Sequence, residues 1–545
     1  MKQIALMALA LLSWPSLSQA HFLWLLTAPA GTPSKAKVYF SESAEPDDPA
    51  LLDKVIKAEA WAVTGRGAPK PLELSKGADC LEAELNETGR QSPLILRYNY
   101  GVVTKGGDPF LLKYFAKTYP YSLPGTWRSV NDNERLPLEI VPSLQSRQTS
   151  LLVLWQGKPL PGSTITIVGP GIPQKIEGTT NESGIFTCEL PQAGIYSIRA
   201  KQTDSTPGSF DGQAYQSTRC FSTLTLHHQP IRLTLEDHSF PALPKGVTSF
   251  GAAIVEDSLY LYGGNYGGAH EYVEQDQSGD LWKLSLLNPK SWEKVSTSSR
   301  RQGVAMVAYR GALYRIGGFE AVTRTTEKQN LISSDDFARW DFQSGSWQML
   351  PKLPEPRSSH DAAIIGSQLY VVGGWNLQGG GATAKWHDTA AVLDLAAEKL
   401  EWKTIGVPFR RRALSIAAWN QKLVCAGGMT ESGGPTTKTS IYDPANGQWS
   451  EGPSLIGTSM DGFGSSSFSC DGRLFVTTVS GSIQQLATDG GRWELAGQLQ
   501  QARFFHRMIS WRDAKLIVVG GASMEEGKRL ALELIPVTGH ETAAR

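Results

Sequence analysis

The chain has 545 residues, enough for two or more domains. Its 41% apolar and 19% charged composition is that of a folded protein, which argues against a disordered or low-complexity polymer. Lys and Arg number 52, as do Asp and Glu, so no global charge draws the molecule to nucleic acid or to an anionic membrane.

Met1 to Ala20 reads as a secretory leader. Lys2 supplies the positive start, Ile4 to Trp14 the apolar stretch, and Ser18-Gln19-Ala20 the small residues before a cleavage point. That stretch is too short to cross a bilayer, and no later segment is long and apolar enough to do so. The expectation is a soluble chain, periplasmic or secreted, that begins at His21.

An N-terminal β-rich domain is expected over 21–143, with strand-like runs at Lys35 to Phe40, Ala58 to Val63 and Leu94 to Tyr98. A second β-sandwich is expected over 144–237, where short alternating strands are divided by Gly, Pro and Asn turns. Five cysteines stand in the chain, Cys80, Cys188, Cys220, Cys425 and Cys470. An odd number leaves at least one unpaired within the molecule. Cys188 and Cys220 fall on strands of one predicted domain and form a plausible disulfide, whereas Cys425 lies inside a buried strand and reads as an inert thiol.

From 238 to 545 one pattern recurs six times: SLYLYGGN, ALYRIGGF, QLYVVGGW, KLVCAGGM, RLFVTTVS and KLIVVGGA. Each copy has a polar turn, an apolar strand and usually two glycines. The first glycines are Gly263, Gly317, Gly373, Gly427 and Gly520, with Thr478 in the fifth copy. A tryptophan follows in five copies: Trp292, Trp347, Trp402, Trp449 and Trp493. The period is close to the roughly 50 residues of a kelch repeat. Diglycine, strand spacing and tryptophan together resemble the kelch motif, which implies six four-stranded blades around a channel. Blade six lacks the tryptophan, so residues near Ser239 to Leu243 are expected to supply its outer strand and close the ring. The fold class is therefore all-β: two sandwiches, then a six-bladed propeller.

The start of the second sandwich, Gly157-Lys158-Pro159-Leu160-Pro161-Gly162, with Thr180 to Phe186 after it, resembles carboxypeptidase regulatory-like and other transthyretin-like modules. Residues 21–237 together, opening on His21-Phe22-Leu23-Trp24-Leu25, resemble a periplasmic family found near nickel and cobalt uptake systems. In that family a histidine tends to stand where this chain has Cys220, so the departure bears on any shared metal site. Once cleaved, His21 would offer an α-amine and an imidazole in one residue. That pair suits Cu(II) and the Cys220 thiolate suits Cu(I), so copper is the implied metal and His21 and Cys220 are its candidate ligands.

In a propeller of this type the loop entering strand one and the loop after strand two open on the same face. The latter are long in blades one to three, from Asn265 to Asp280, Phe319 to Asp336 and Trp375 to Asp388. Long loops on a rigid scaffold are where binding concentrates. Arg301, Arg357 and Arg411 lie sixteen residues before their diglycines and Arg503 seventeen. They should begin inner strands and ring the channel mouth. His360 and His506 follow two of them by three residues, and Asp461 stands near the equivalent place in blade five. Guanidiniums at a mouth favour carboxylate or phosphate ligands. The other reading gives these arginines and histidines to the repeat itself, bonding neighbouring loops.

Three functions follow. The first is a binding propeller that takes an anionic small molecule, a carbohydrate acid or an acidic loop of a protein partner. The second is a carbohydrate-active enzyme, since periplasmic sialic-acid mutarotases resemble this architecture, as do galactose-oxidase-like copper enzymes. The third is copper or nickel handling through His21. Neither a Ser-His-Asp arrangement, a phosphate loop nor a Cys-x-x-Cys pair is visible.

Overall fold

The computed structural model describes residues 21–27, 35–64, 67–105, 107–120, 123–145, 148–236, 240–268, 270–323, 329–512 and 514–537. The expected leader, Ser239 and part of the Phe319 to Asp336 loop lie outside these. The chain divides into two units: Met1–Pro120, Arg128–Val141 and Ser150–His228, then Tyr121–Trp127, Pro142–Thr149 and Gln229–Arg545. Among the described residues no helix is long and apolar enough to cross a membrane.

The first unit is built on an eight-stranded sheet. Its strands run in the order Ile176–Thr179, Thr164–Val168, Gly194–Asp204, Ser217–His228, Phe110–Thr118, Leu94–Val103, Glu59–Ala62 and Lys70–Leu72. Ser217–His228 pairs parallel with Phe110–Thr118, and this pairing joins the two segments expected to be separate sandwiches. The boundary at 143 therefore does not divide two bodies. Such a pairing needs a long crossover, and local alternation carries no trace of it. A second sheet holds Phe22–Thr27, a strand buried along its whole length, as its continuous apolar run requires. Lys117 and Glu139 are buried in this unit 2.7 Å apart, and Glu139 also accepts from the Ser129 hydroxyl and the Val130 N–H. All five cysteines are free: Cys188 and Cys220 lie in different sheets, so the expected disulfide is absent. Cys425 is fully buried, and burial pushes its thiol up to about 12.

The second unit is a six-bladed propeller. Gly251–Val255, Ser258–Tyr262, Asp280–Ser285 and Glu293–Thr297 make blade one, in that order from the axis outward. The inner strands of the others are Ala305–Tyr309, Asp361–Ile365, Ser415–Trp419, Ser466–Cys470 and Arg507–Trp511. Blade six has three strands, and its third, Glu533–Pro536, is bridged by Glu236, while the Leu243 N–H reaches Leu530 O at 2.9 Å. Closure thus comes from the segment before blade one, beginning slightly earlier than expected. Leu259 and Leu261 of blade one share a buried cluster with Ile517 and Val519 of blade six.

The diglycines permit contact between blades. Gly317 sits at φ +54°, and a Cβ there would lie 2.3 Å from the Arg357 carbonyl oxygen of the next blade. The second glycine N–H then donates to that carbonyl: Gly264 to Arg301, Gly318 to Arg357 and Gly374 to Arg411, at 2.7–2.9 Å. The tryptophans bind outward, for Trp402 and Trp449 donate to Pro351 O and Gly406 O of the preceding blade.

Around the axis runs a closed ring of backbone hydrogen bonds, one residue from each blade. Gly303 donates to Ser249, Ser359 to Gly303, Ala413 to Ser359, Gly464 to Ala413, Phe505 to Gly464 and Ser249 to Phe505, at 2.7–3.3 Å. Four of the six are not glycine yet hold φ between 51° and 57°. Only a closed circle supplies every donor with its acceptor, and that circle over-determines the unfavourable backbone.

Candidate functional site

The repeat arginines do not present an open ring. Arg357, Arg411 and Arg503 are at most 3% exposed. Arg357 Nη1 donates to Gly373 O and Thr389 O, both at 2.8 Å. Arg411 Nη1 makes the equivalent bonds to Gly427 O and Lys438 O, and Arg503 Nη1 to Gly520 O and Ala531 O. Each guanidinium clamps the first glycine of its own blade to the strand beyond, and Arg503 also pairs with buried Glu533. Arg301 departs from this pattern, donating to Glu320 and Asp336 at 2.9 and 3.1 Å. Burial and backbone carbonyls thus consume the charges expected to meet an anion.

The histidines are wedges between blades. His506 Nε2 lies 2.6 Å from the Thr477 hydroxyl of blade five. His360 lies against Gly317, and its position relative to the arginine is that of Val304 in blade two and Leu414 in blade four. Burial holds both rings well below the usual imidazole range.

Blade five inverts the clamp. Asp461 is buried, and its carboxylate accepts from the Thr478 hydroxyl at 2.8 Å and the Ser480 N–H at 3.3 Å. The arginine's backbone place falls to the next residue, since Gly428 N–H donates to Gly462 O. Segment 123–127 packs here: Leu123 joins Ile231 and Leu495 in a buried cluster, and Gly125 sits so close that a Cβ would lie 1.8 Å from Ser480 O.

A different arginine faces the loops. Arg412 follows Arg411 and pairs with Met429 just beyond the blade-four diglycine. Its guanidinium lies 4.1 Å from the Trp375 ring centre and 5.6 Å from that of Trp386, and Nη2 is 2.9 Å from Met429 Sδ. The two indoles stand 5.4 Å apart at 65° on the blade-three hairpin Trp375–Asn376 and Lys385–Trp386. Tyr272, from the blade-one loop, interacts with the same charge. Among the described residues no carboxylate pairs with Arg412, and its Nε and the Trp375 Nε1 are buried without partners. Burial pushes the guanidinium down from its ordinary value. A half-buried cation with spare donors, flanked by aromatic faces, is suited to a carboxylate on a molecule with an apolar side. One signal was in the sequence: of three consecutive arginines, Arg410 to Arg412, only Arg411 fits the repeat. Arg410 is held by Asp388 and Glu431.

In the first unit His21 Nε2 lies 3.1 Å from Asp47 Oδ2, and its ring packs on Phe40. Cys220 is buried in the eight-stranded sheet opposite Gln202 and Lys113, with its thiol pushed up to about 11. Among the described residues no three His, Cys, Asp or Glu side chains gather as a metal cluster.

A family model described as the Kelch motif matches residues 410–456, which is blade four. Kelch-like protein 35 of Mus musculus is 27% identical over 39% of this chain and 32% of its own length. N-acetylneuraminate epimerase of Haemophilus influenzae (strain PittEE) is 25% identical over 54% of this chain and 90% of its own. The solved structure of YjhT is 16% identical, with a TM-score of 0.45, over 55% of this chain and 98% of that one. The chain spans about a third of the kelch-like relatives it matches. The propeller is of the kelch type, and the fold is all-β.

Proposed function

We propose that this protein is a kelch-propeller binding protein whose loop face takes an anionic, ring-shaped small molecule of the acidic-sugar class. The observation that carries the reading is Arg412: a half-buried guanidinium with no carboxylate partner among the described residues, set against Trp375 and Trp386. In this reading Arg412 holds the carboxylate, the indoles meet the apolar face of the ring, and the Tyr272 hydroxyl offers a further hydrogen bond. Similarity to an N-acetylneuraminate epimerase along most of that protein's length supports an acidic sugar. An acidic loop of a protein partner would use the same guanidinium.

Titration of tryptophan fluorescence with N-acetylneuraminate tests this. Saturable binding is expected, and Arg412→Ala should weaken it by 1.5–3 kcal/mol, the range for a hydrogen bond to a charged group, or about 10- to 150-fold. Equal affinity in parent and variant would sink the reading. A second reading, catalysis on the bound sugar, is favoured by the same similarity, and NMR of N-acetylneuraminate epimerisation with and without protein decides it. The reading also places the mature chain in a periplasm or outside the cell, for which N-terminal sequencing should return His21.

A further inference from the structure

On the propeller axis, beyond the ring of backbone bonds, lies a cavity of about 310 Å³. Residues from all six inner strands line it. One end is closed by Arg507 of blade six and Asp361 of blade three. Arg507 Nη1 meets Asp361 Oδ1 at 2.7 Å, while its Nε and Nη2 donate to Phe250 O and Val304 O. Asp361 Oδ2 accepts the Ile416 N–H at 3.0 Å. The ion pair thus ties five of the six blades together and sets the floor. The other end reaches Ala308, Ile364, Ala418 and Ser510, late in their strands, beside Phe468, which is 38% exposed. The cavity therefore opens on the face of the tight turns, away from Arg412.

We infer that this axial cavity is a second ligand site, for an uncharged, hydroxyl-bearing molecule of about monosaccharide size. Size comes first: ligand sites begin at roughly 300 Å³. Charge comes second. Among the described residues Arg507 and Asp361 are the only charged side chains lining the cavity, and they neutralise each other, so a charged guest would enter uncompensated. Hydrogen bonding comes third. Each inner strand pairs only on its outer side, so its inner edge turns backbone N–H and C=O groups to the axis. Hydroxyls both donate and accept, and can satisfy either group. Finally, Ser467 lines the cavity at 6% exposure with its hydroxyl unpartnered, a buried polar group without a bond inside the protein. Alanine and isoleucine side chains supply the apolar walls.

The test is ligand-observed NMR and calorimetry on the full chain with four named probes: glycerol, D-glucose, D-galactose and myo-inositol. At least one is expected to bind saturably. Ala418→Trp, which fills the cavity, should abolish that binding. Ser467→Ala should weaken it roughly three- to tenfold, the size of one neutral hydrogen bond, with Tm unchanged because the hydroxyl has no internal partner to lose. Arg412→Ala should leave it intact, which separates this site from the loop-face site. Failure of all four probes to bind saturably overturns the inference, as does binding unaltered in Ser467→Ala and Ala418→Trp. A cavity that holds water only would give that result.

Discussion

In blade three a guanidinium donates to two carbonyl oxygens; in blade five a carboxylate accepts from a hydroxyl and an N–H. The two clamps occupy corresponding places and carry opposite charge. The difference follows from what the end of strand two presents. Gly373-Gly374 turns a bare carbonyl toward the clamp, so a donor is needed. Thr478-Val479-Ser480 turns a hydroxyl and an N–H, so an acceptor is needed. What the repeat preserves is a bond between the entry to strand one and the exit of strand two, and residue type adapts to it. Blade five also lacks the long loop of its neighbours, and segment 123–127 packs against it instead.

The comparison can be broken by substitution. The largest effect is expected in blade six, where Arg503→Ala leaves Glu533 buried with only the N–H groups of Gln500 and Gln501. Removing one partner of a buried pair costs about 3–5 kcal/mol. Arg357→Ala, whose clamp contains no acid, should cost less, about 1.5–3 kcal/mol. Urea unfolding of both variants measures the gap, and equal losses would show that the ion pair adds nothing to the clamp.

Asp461→Asn keeps the shape of the blade-five clamp and removes its charge. The loss should be about 1–3 kcal/mol by the same measurement, from weakened bonds to Thr478 and Ser480. A neutral result would mean that shape alone holds blade five.

The third test concerns the histidine wedges. Burial holds His360 and His506 neutral, and it pushes His387, whose Nε2 lies 3.1 Å from Pro356 O, down to about 4. In the unfolded chain each takes a proton near pH 6.5. The unfolded state therefore binds more protons below that pH, and stability should fall as pH drops from about 6.5 toward 4, while staying level above 6.5. His360→Leu, which copies Leu414 of blade four, should make the acid limb of a Tm-against-pH curve shallower. A curve unchanged by His360→Leu would free that wedge of any part in acid sensitivity.

The smallest effect belongs to Arg412. It holds no backbone carbonyl, so Arg412→Ala should lose only its stacking on Trp375 and Trp386, about 0.5–1 kcal/mol. A loss as large as that of Arg357→Ala would make Arg412 part of the framework too.

The propeller was legible because each blade buries a strand of apolar residues, and five of the six end it at a backbone approach that only glycine allows. Both features are local and recur along the chain, so SLYLYGGN and its copies announce them. The arginine spacing was legible too, and located Arg357, Arg411 and Arg503 at the entry to their strands. Whether a guanidinium there faces a ligand or its own backbone depends on the carbonyls of Gly373 and Thr389, sixteen and 32 residues away along the chain. Spacing cannot show where such groups point. Arg412 gains its role from Trp375, Trp386 and Tyr272, which the loops of two other blades deliver. The parallel pairing of Ser217–His228 with Phe110–Thr118 was hidden for the same reason. Sequence fixed what each segment buries, because burial follows from a segment's own side chains. Tertiary structure decided which polar groups meet, because hydrogen bonds and charges act between atoms that the chain brings together only on closing.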